Sequence, residues 1–390
     1  MNILRITKYP PIEGGAASRA FWLTLGLAKR GHRNFVVSNA YEVEECWREK
    51  IPTEEYYKLH PKNVNLYFTQ RLPYTRIPIP YYYMYCEKLL SLSISIMENE
   101  NIDIIDCHYF FPYGFCGVFL KKLVEKKVPL VLQLAGSDIT TFPFRKVLMF
   151  TYSKCIKEAD GIVVTSEIHK KVLLKFGIKE EKVISIPITI DLDVFSPHGP
   201  SIILVPEEDI PVFLIYGKLY RGKGVPSVIK VASLLEYDFL LVIVGDGPDK
   251  QKCITYAKEL GLDNKVKFLP FQPPWRIPEL IRGATCVIVP QKGFAVRTHT
   301  PTVIKEAMGC ARPVIISSEI FGAKKLVINE KYGFVYNPTN EKELLDAMEY
   351  IINNPKEAKK MGVKARKNIE SFNDFQRYLS KIEDFYRNVG

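Results

Sequence analysis

No CxxC pair occurs among the eight cysteines, Cys46, Cys86, Cys107, Cys116, Cys155, Cys253, Cys286 and Cys310. Their scatter argues against a disulfide framework and fits a reducing compartment. Several sit in apolar runs, such as Ala284-Thr285-Cys286-Val287-Ile288-Val289, where a thiol serves as a small hydrophobe. No run approaches the roughly 20 apolar residues that span a bilayer. The N-terminal Met1-Asn2-Ile3-Leu4-Arg5-Ile6 reads as a short strand and lacks the longer apolar core of a signal peptide. The expectation is a cytoplasmic protein, soluble or peripheral at the membrane face. No long polar or low-complexity tract suggests disorder. His108, His169 and His299 have no metal-ligand spacing. Asp191-Leu192-Asp193 reads better as a turn in a linking region than as a metal site. No zinc-finger spacing or RNA-binding aromatic signature accompanies the net charge of +11, so nucleic acid is not an expected partner.

The same charge suits phosphorylated substrates or an anionic membrane surface. A chain of 390 residues, 47% of them hydrophobic, is too long for one ordinary core and suits two α/β domains. Short apolar runs at 2–7, 34–38, 64–68, 102–108, 129–134, 161–165 and 183–186 predict strands in the first half. A second series follows at 211–216, 239–244, 266–269, 285–289, 313–317 and 334–336. Helical patterns lie between them, among them Ser18–Lys29, Tyr152–Glu158, 224–235, 249–260, 277–282, 301–309, 323–329, 340–353 and 355–370. Alternation of buried strands with helices predicts parallel sheets covered on both faces. Pro197, Gly199, Pro200 and Pro206 mark a seam near Ser196–Ile210. The expected division is 1–197, 198–374 and a final helix, 375–390, whose Phe375, Tyr378, Leu379, Ile382 and Phe385 form one apolar stripe.

Three segments carry candidate chemistry. Tyr216-Gly217-Lys218-Leu219-Tyr220-Arg221-Gly222-Lys223-Gly224 follows a strand and precedes a helix. Its glycines permit close backbone approach, and its cations offer charge-assisted hydrogen bonds to phosphate. Taken alone, it reads equally as a solvated basic turn. Gly245-Asp246-Gly247-Pro248 is a second glycine turn at a strand end, which alone reads first as turn chemistry. Thr298-His299-Thr300-Pro301-Thr302-Val303-Ile304-Lys305-Glu306 opens a helix, with Thr300 as N-cap and Pro301 at the first helical position. Free amides there suit phosphate, and Thr302 and Glu306, four apart, share a face. By contrast, Pro10-Pro11-Ile12-Glu13-Gly14-Gly15-Ala16-Ala17 is not GxGxxG, and Ser38-Asn39 ends the second strand without an acid for a ribose. A dinucleotide dehydrogenase is disfavoured.

In order and spacing these motifs resemble the retaining glycosyltransferases of the GT-B fold, glycosyltransferase family 4 type, over nearly the whole chain. Gly14-Gly15, Gly31-His32, Ala135-Gly136-Ser137-Asp138, Ala159-Asp160-Gly161-Ile162 and Ile186-Pro187…Asp191…Phe195-Ser196-Pro197 match the first domain. Gly217-Lys218…Lys223-Gly224, Gly245-Asp246-Gly247-Pro248, Glu306-Ala307-Met308…Arg312-Pro313-Val314-Ile315 and Gly333-Phe334-Val335 match the second.

The resemblance implies an α/β GT-B architecture of two facing Rossmann-like domains, with a C-terminal helix crossing back. It implies transfer of a sugar from a nucleoside diphosphate sugar to a glycan or lipid-linked acceptor, with retention of configuration. Lys218, at the family's usual arginine position, and Lys223 would stabilise the diphosphate. Gly15, Gly217, Gly247, Thr298, Thr300, Thr302, Val303 and Glu306 would line the donor site, with Glu306 on the ribose. Phe268, Leu269 and Phe271 would lie near the base, and Gly14, His108 and Asp138 on the acceptor side. Two positions depart from the pattern: Thr298 stands where a first glutamate is usual, and Ala135 where a histidine is. The departures keep two rivals in view, a noncatalytic nucleotide-sugar-binding regulatory subunit and a GT-B-fold epimerase. No metal or other cofactor is expected, because lysines supply the positive charge. The segment Arg71–Lys88, with Arg76 and five tyrosines (Tyr74, Tyr81, Tyr82, Tyr83 and Tyr85), suits an anionic membrane interface as well as an ordinary loop and helix.

Overall fold

A computed structural model describes residues 1–43, 45, 48–70, 85–202, 210–292 and 301–389. Every apolar run expected to be extended forms a strand. The first sheet contains β1 (Asn2–Ile6), β2 (Arg33–Ser38), β3 (Val64–Phe68), β4 (Ile104–His108), β5 (Leu130–Leu134), β6 (Gly161–Val164) and β7 (Val183–Ser185). The second contains β8 (Val212–Tyr216), β9 (Leu240–Val244), β10 (Val266–Leu269), β11 (Cys286–Val289), β12 (Val314–Ser317) and β13 (Gly333–Tyr336). β8, Val-Phe-Leu-Ile-Tyr, and β9, Leu-Leu-Val-Ile-Val, are buried at every position. Helices cover both faces of such a sheet, so the strands read as unbroken apolar runs rather than alternating ones.

The strand orders are β3-β2-β1-β4-β5-β6-β7 and β10-β9-β8-β11-β12-β13. Pairing is parallel, with Leu4 opposite Phe35 on one side and Ile105 on the other. In the second sheet Phe213 pairs Leu241 and Cys286. Each order reverses once, between β1 and β4 and between β8 and β11. Crevices for ligands open at the carboxyl ends of strands at such reversals.

The chain divides into two compact units, Met1–Ile188 with Gln376–Gly390, and Thr189–Phe375. Each has its own core, one around Leu4, Phe35, Ile105 and Leu132, the other around Phe213, Leu241, Ile288 and Met348. The division falls before the proline-rich seam that the sequence suggests. Backbone groups of residues 190–200 are tied to the second unit: Asn373 bonds Ile190 N and O at 3.0 and 2.7 Å, Arg366 Nη1 donates to Phe195 O at 2.7 Å, and Arg282 Nε donates to Pro200 O at 2.6 Å.

The terminal helix, Phe375–Val389, belongs from Gln376 onward to the first unit. Its Ile382 and Tyr386 are buried. Glu383 accepts from Arg30 Nη1 at 2.7 Å and bonds His32 Nε2 at 2.8 Å. Packing on β6 is close, since a Cβ at Gly161 would lie 2.7 Å from the Phe385 ring.

Candidate active site

The second unit brings three strand ends together through glycine. Beyond β8, Gly217 N donates to Val244 O at 2.9 Å and Leu219 N to Asp246 O at 2.7 Å, which joins the loops after β8 and β9. Gly247 has φ 147, and a Cβ there would stand 2.1 Å from Leu219 O. Gly224, at φ 70, would place a Cβ 1.9 Å from Pro290 O beyond β11. Only glycine allows these approaches. Between them Arg221–Lys223 forms one 3₁₀ turn, with Lys223 N donating to Tyr220 O at 2.8 Å.

The half-buried Lys223 side chain folds back over Gly217: its Nζ is 3.6 Å from where a Cβ on that glycine would be. Glu306 enters from the helix Thr302–Gly309 and is only 7% exposed. Tyr216, the last residue of β8, donates its hydroxyl to Glu306 Oε2 at 2.6 Å. Burial brings the Lys223 pKa down to about 8, with nearby Glu306 opposing the shift. Burial likewise raises the Glu306 carboxyl, against hydrogen bonds from Tyr216 and Thr302 and the charge of Lys223. A desolvated ammonium of this kind gains its charge fully when an anion arrives.

Gly217, Lys223, Thr302 and Glu306 are thus gathered at one place, and Val303 joins them through its carbonyl, 3.4 Å from the Tyr216 hydroxyl. Lys218 lies half-buried in the same loop. Leu269 O accepts from Gly245 N at 3.1 Å, so the end of β10 adjoins the glycine turns. The Phe268 ring packs against the core, and Phe271 follows half-buried. The helix starts one residue later than the sequence suggests. Pro301 has ψ 137, extended backbone, and occupies the N-cap position instead of the first helical one. Thr298 and Thr300 lie outside the described residues, as do residues 71–84 of the aromatic basic segment. In that segment Lys88 pairs with Glu42.

Gly14, Gly15, His108 and Asp138 belong to the first unit. Gly14, at φ 106, is the N-cap of the helix Gly15–Lys29, and a Cβ on Gly15 would meet nothing. His108 Nε2 lies 2.9 Å from Asp106 Oδ2. Burial lowers the pKa of its imidazole despite that carboxylate. Asp138 is fully buried: Oδ1 accepts from Phe110 N at 3.1 Å and Oδ2 from Ala135 N at 3.4 Å. Burial raises it to about 7, against those amides and the charges of Lys8 and Arg19. It braces the turn in which Tyr109 is left-handed, at φ 71. Its carboxylate ties Phe110 and Ala135 together through their backbone amides.

In sequence Tyr216 stands only at the start of the glycine loop. Its position, the last residue of a buried strand just before Gly217, was the available signal. On the same helix as Glu306, burial brings the Lys305 ammonium down to about 8.

Comparisons with known proteins place the family and the fold. The model of the family "Glycosyltransferase Family 4" matches residues 13–194, and that of "Glycosyl transferases group 1" matches residues 203–368. N-acetyl-alpha-D-glucosaminyl L-malate synthase of Bacillus anthracis is 23% identical over 398 residues, covering 98% of this chain and 96% of the relative. Sucrose-phosphate synthase from Thermosynechococcus elongatus superposes with a TM-score of 0.76 at 17% identity, covering 100% of this chain and 99% of the neighbour. Anabaena Alr3699/HepE, in complex with UDP and glucose, does so with a TM-score of 0.73 at 17% identity, covering 100% of each chain. At such identities the structural likeness establishes the fold, α/β GT-B, while the two family models between them cover every strand but β1. The chain therefore belongs to the group 1 glycosyltransferases of the family 4 type.

Proposed function

We propose that this glycosyltransferase moves a sugar from a nucleoside diphosphate sugar to a glycan or lipid-linked acceptor, with retained anomeric configuration, at the cytoplasmic face of a membrane. The observation that carries the donor assignment is Lys223 held over Gly217 beside Glu306, at the carboxyl ends of β8, β9 and β11. The solved HepE structure, which contains UDP and glucose, supports a nucleotide sugar as donor.

In this reading Lys223 and Lys218 neutralise the charge that grows on the diphosphate as the glycosidic bond breaks. Amides at the start of the helix Thr302–Gly309 add to that field. Glu306 holds the ribose. A carboxylate offers about four acceptor positions, and the bonds from Tyr216 and Thr302 leave room for ribose hydroxyls. The two lysines meet the diphosphate charge without a metal.

Donor consumption with and without acceptor, across UDP-, GDP- and ADP-sugars in EDTA, tests the whole reading. We expect acceptor-dependent consumption of one nucleotide class, undiminished by chelation. Loss restored by Mg²⁺ or Mn²⁺ would overturn the metal-free assignment. Donor binding without consumption would favour a regulatory subunit, the reading that Thr298 and Ala135 motivate.

The position of the Lys223 pKa also sets a pH dependence. kcat/KM reports the free enzyme, so it should fall as pH rises through about 8, where Lys223 loses its charge. Lys223→Arg stays charged and should extend the plateau to higher pH. An alkaline limb unmoved in that variant would assign the titration to another group, such as Lys305, which burial also brings down to about 8.

A further inference from the structure

Large apolar side chains are exposed together on the first unit, around the helix Lys146–Cys155. Val147 is 90% exposed, Phe150 72% and Phe144 63%. Val147 and Phe150 are three residues apart and share one helix face. The opposite face is anchored: Tyr152 is fully buried, with its ring 4.7 Å from that of Phe110. The helix is therefore held in place by one side while it offers the other to solvent. Monomeric proteins rarely leave such groups clustered without a use.

The charges on the ridge's own segment have one sign. Arg145, Lys146 and Lys154 are exposed, and no aspartate or glutamate occurs from Ile139 to Lys157. Phe144 meets Phe176 edge-on, ring centroids 5.5 Å apart, just beyond the helix Glu167–Lys175 with its exposed Lys175. Among the described residues none of these four cations has a carboxylate partner. Two-fold pairing of this face with a second copy would set like charges against one another. A bilayer with anionic headgroups meets both features at once. Apolar tips enter the headgroup boundary, and the cations meet lipid phosphates.

We propose that Phe144, Val147 and Phe150, with Arg145, Lys146 and Lys154, form a docking surface for an anionic lipid bilayer. This deepens the reading of a lipid-linked acceptor and rests on it for purpose. Its test is independent of sugar transfer. Three apolar side chains give a weak, reversible, salt-sensitive anchor rather than a fixed one.

The full chain should cosediment with vesicles of phosphatidylcholine and phosphatidylglycerol at low salt. It should bind far less to phosphatidylcholine alone, or at about 1 M salt. Val147→Ser/Phe150→Ser should lower the vesicle partition by about tenfold. Lys146→Gln/Lys154→Gln should lower it by about fivefold per cation. Phe372→Ser, at a 48% exposed position in the second unit, is the control and should change nothing. Circular dichroism and thermal unfolding, measured on each variant without vesicles, verify that the chain is folded. No binding to anionic vesicles, binding indifferent to both double variants, or a wild-type dimer that Val147→Ser/Phe150→Ser abolishes would each overturn the proposal. Vesicle binding as expected in a protein that transfers no sugar would leave this surface standing and remove the catalytic reading alone.

Discussion

A folded Lys223→Ala variant is expected to lose about 10²–10³-fold in kcat/KM, the usual effect of removing one preorganised transition-state donor. The expectation rests on where the ammonium sits. Gly217 has no side chain, so Lys223 Nζ lies directly over backbone at the end of β8. Gly224 closes against Pro290 O behind it, which fixes the turn that carries the lysine. Burial has already removed part of its water, so little reorganisation accompanies the growth of charge on a leaving diphosphate. Glu306→Gln should act differently. Glutamine keeps a carbonyl oxygen for the Tyr216 hydroxyl but loses the negative charge that ribose hydroxyls would meet. Because the ribose changes little between ground and transition state, KM should rise more than kcat falls. Steady-state kinetics over a donor series, on variants shown to fold, distinguishes the two. Unchanged kcat/KM in Lys223→Ala would remove this residue from the site.

The second large effect is on stability. Asp106→Ala should destabilise the first unit by about 3–5 kcal/mol, because it strands a buried cation. Arg5 and Asp106 are both fully buried and bond at 2.8 Å. The carboxylate also receives Gln133 Nε2 at 3.0 Å and adjoins His108 at 2.9 Å. Burial alone would raise the Asp106 pKa, but His108 and Arg5 outweigh it and hold the carboxyl below its ordinary range. A depressed pKa means that this contribution is present at neutral pH and is lost only as pH falls below about 4. Gln133 Nε2 also donates to Tyr386 at 3.1 Å, so the network reaches the terminal helix. Asp106→Ala should therefore loosen that helix too, visible as earlier proteolysis within Phe375–Val389. The double variant Arg5→Met/Asp106→Leu leaves no unpaired charge and should be distinctly milder. Urea unfolding resolved by unit compares the variants. A loss below about 1 kcal/mol in Asp106→Ala would show that the pair does not hold the sheet.

Much of this protein is determined by its sequence alone. Both sheets are legible because strands buried on two faces must be continuously apolar, as Val212–Tyr216 and Leu240–Val244 are. The glycine loops are legible because backbone contact at about 2 Å from a would-be Cβ admits only glycine, at Gly224, Gly245 and Gly247. What the sequence leaves open are choices that depend on distant neighbours. Leu90-Ser91-Leu92-Ser93-Ile94-Ser95-Ile96 alternates with a period of two, the pattern of a strand, yet lies within the helix Tyr85–Asn99. Packing of Leu89 and Ile96 into the core overrides the pattern, and Ser93 bonds back to Leu89 O at 2.7 Å. The seam moved because Arg282, Arg366 and Asn373 capture residues 190–200, bonds that join positions up to 183 apart in the chain. The resemblance puts Asp138 on the acceptor side; that its carboxylate accepts from the backbone amides of Phe110 and Ala135 emerges only in the fold. Tyr216 and Glu306, 90 residues apart, become a hydrogen-bonded pair only when β8 lies beside β11 and the helix that follows it. Local pattern determined which segments are strands and which loops are glycine turns, because those depend on burial and backbone sterics within a few residues. The charge state of Lys223, the orientation of Glu306 and the anchoring of the last helix were decided by tertiary structure, because each depends on desolvation and on partners that only folding brings within reach.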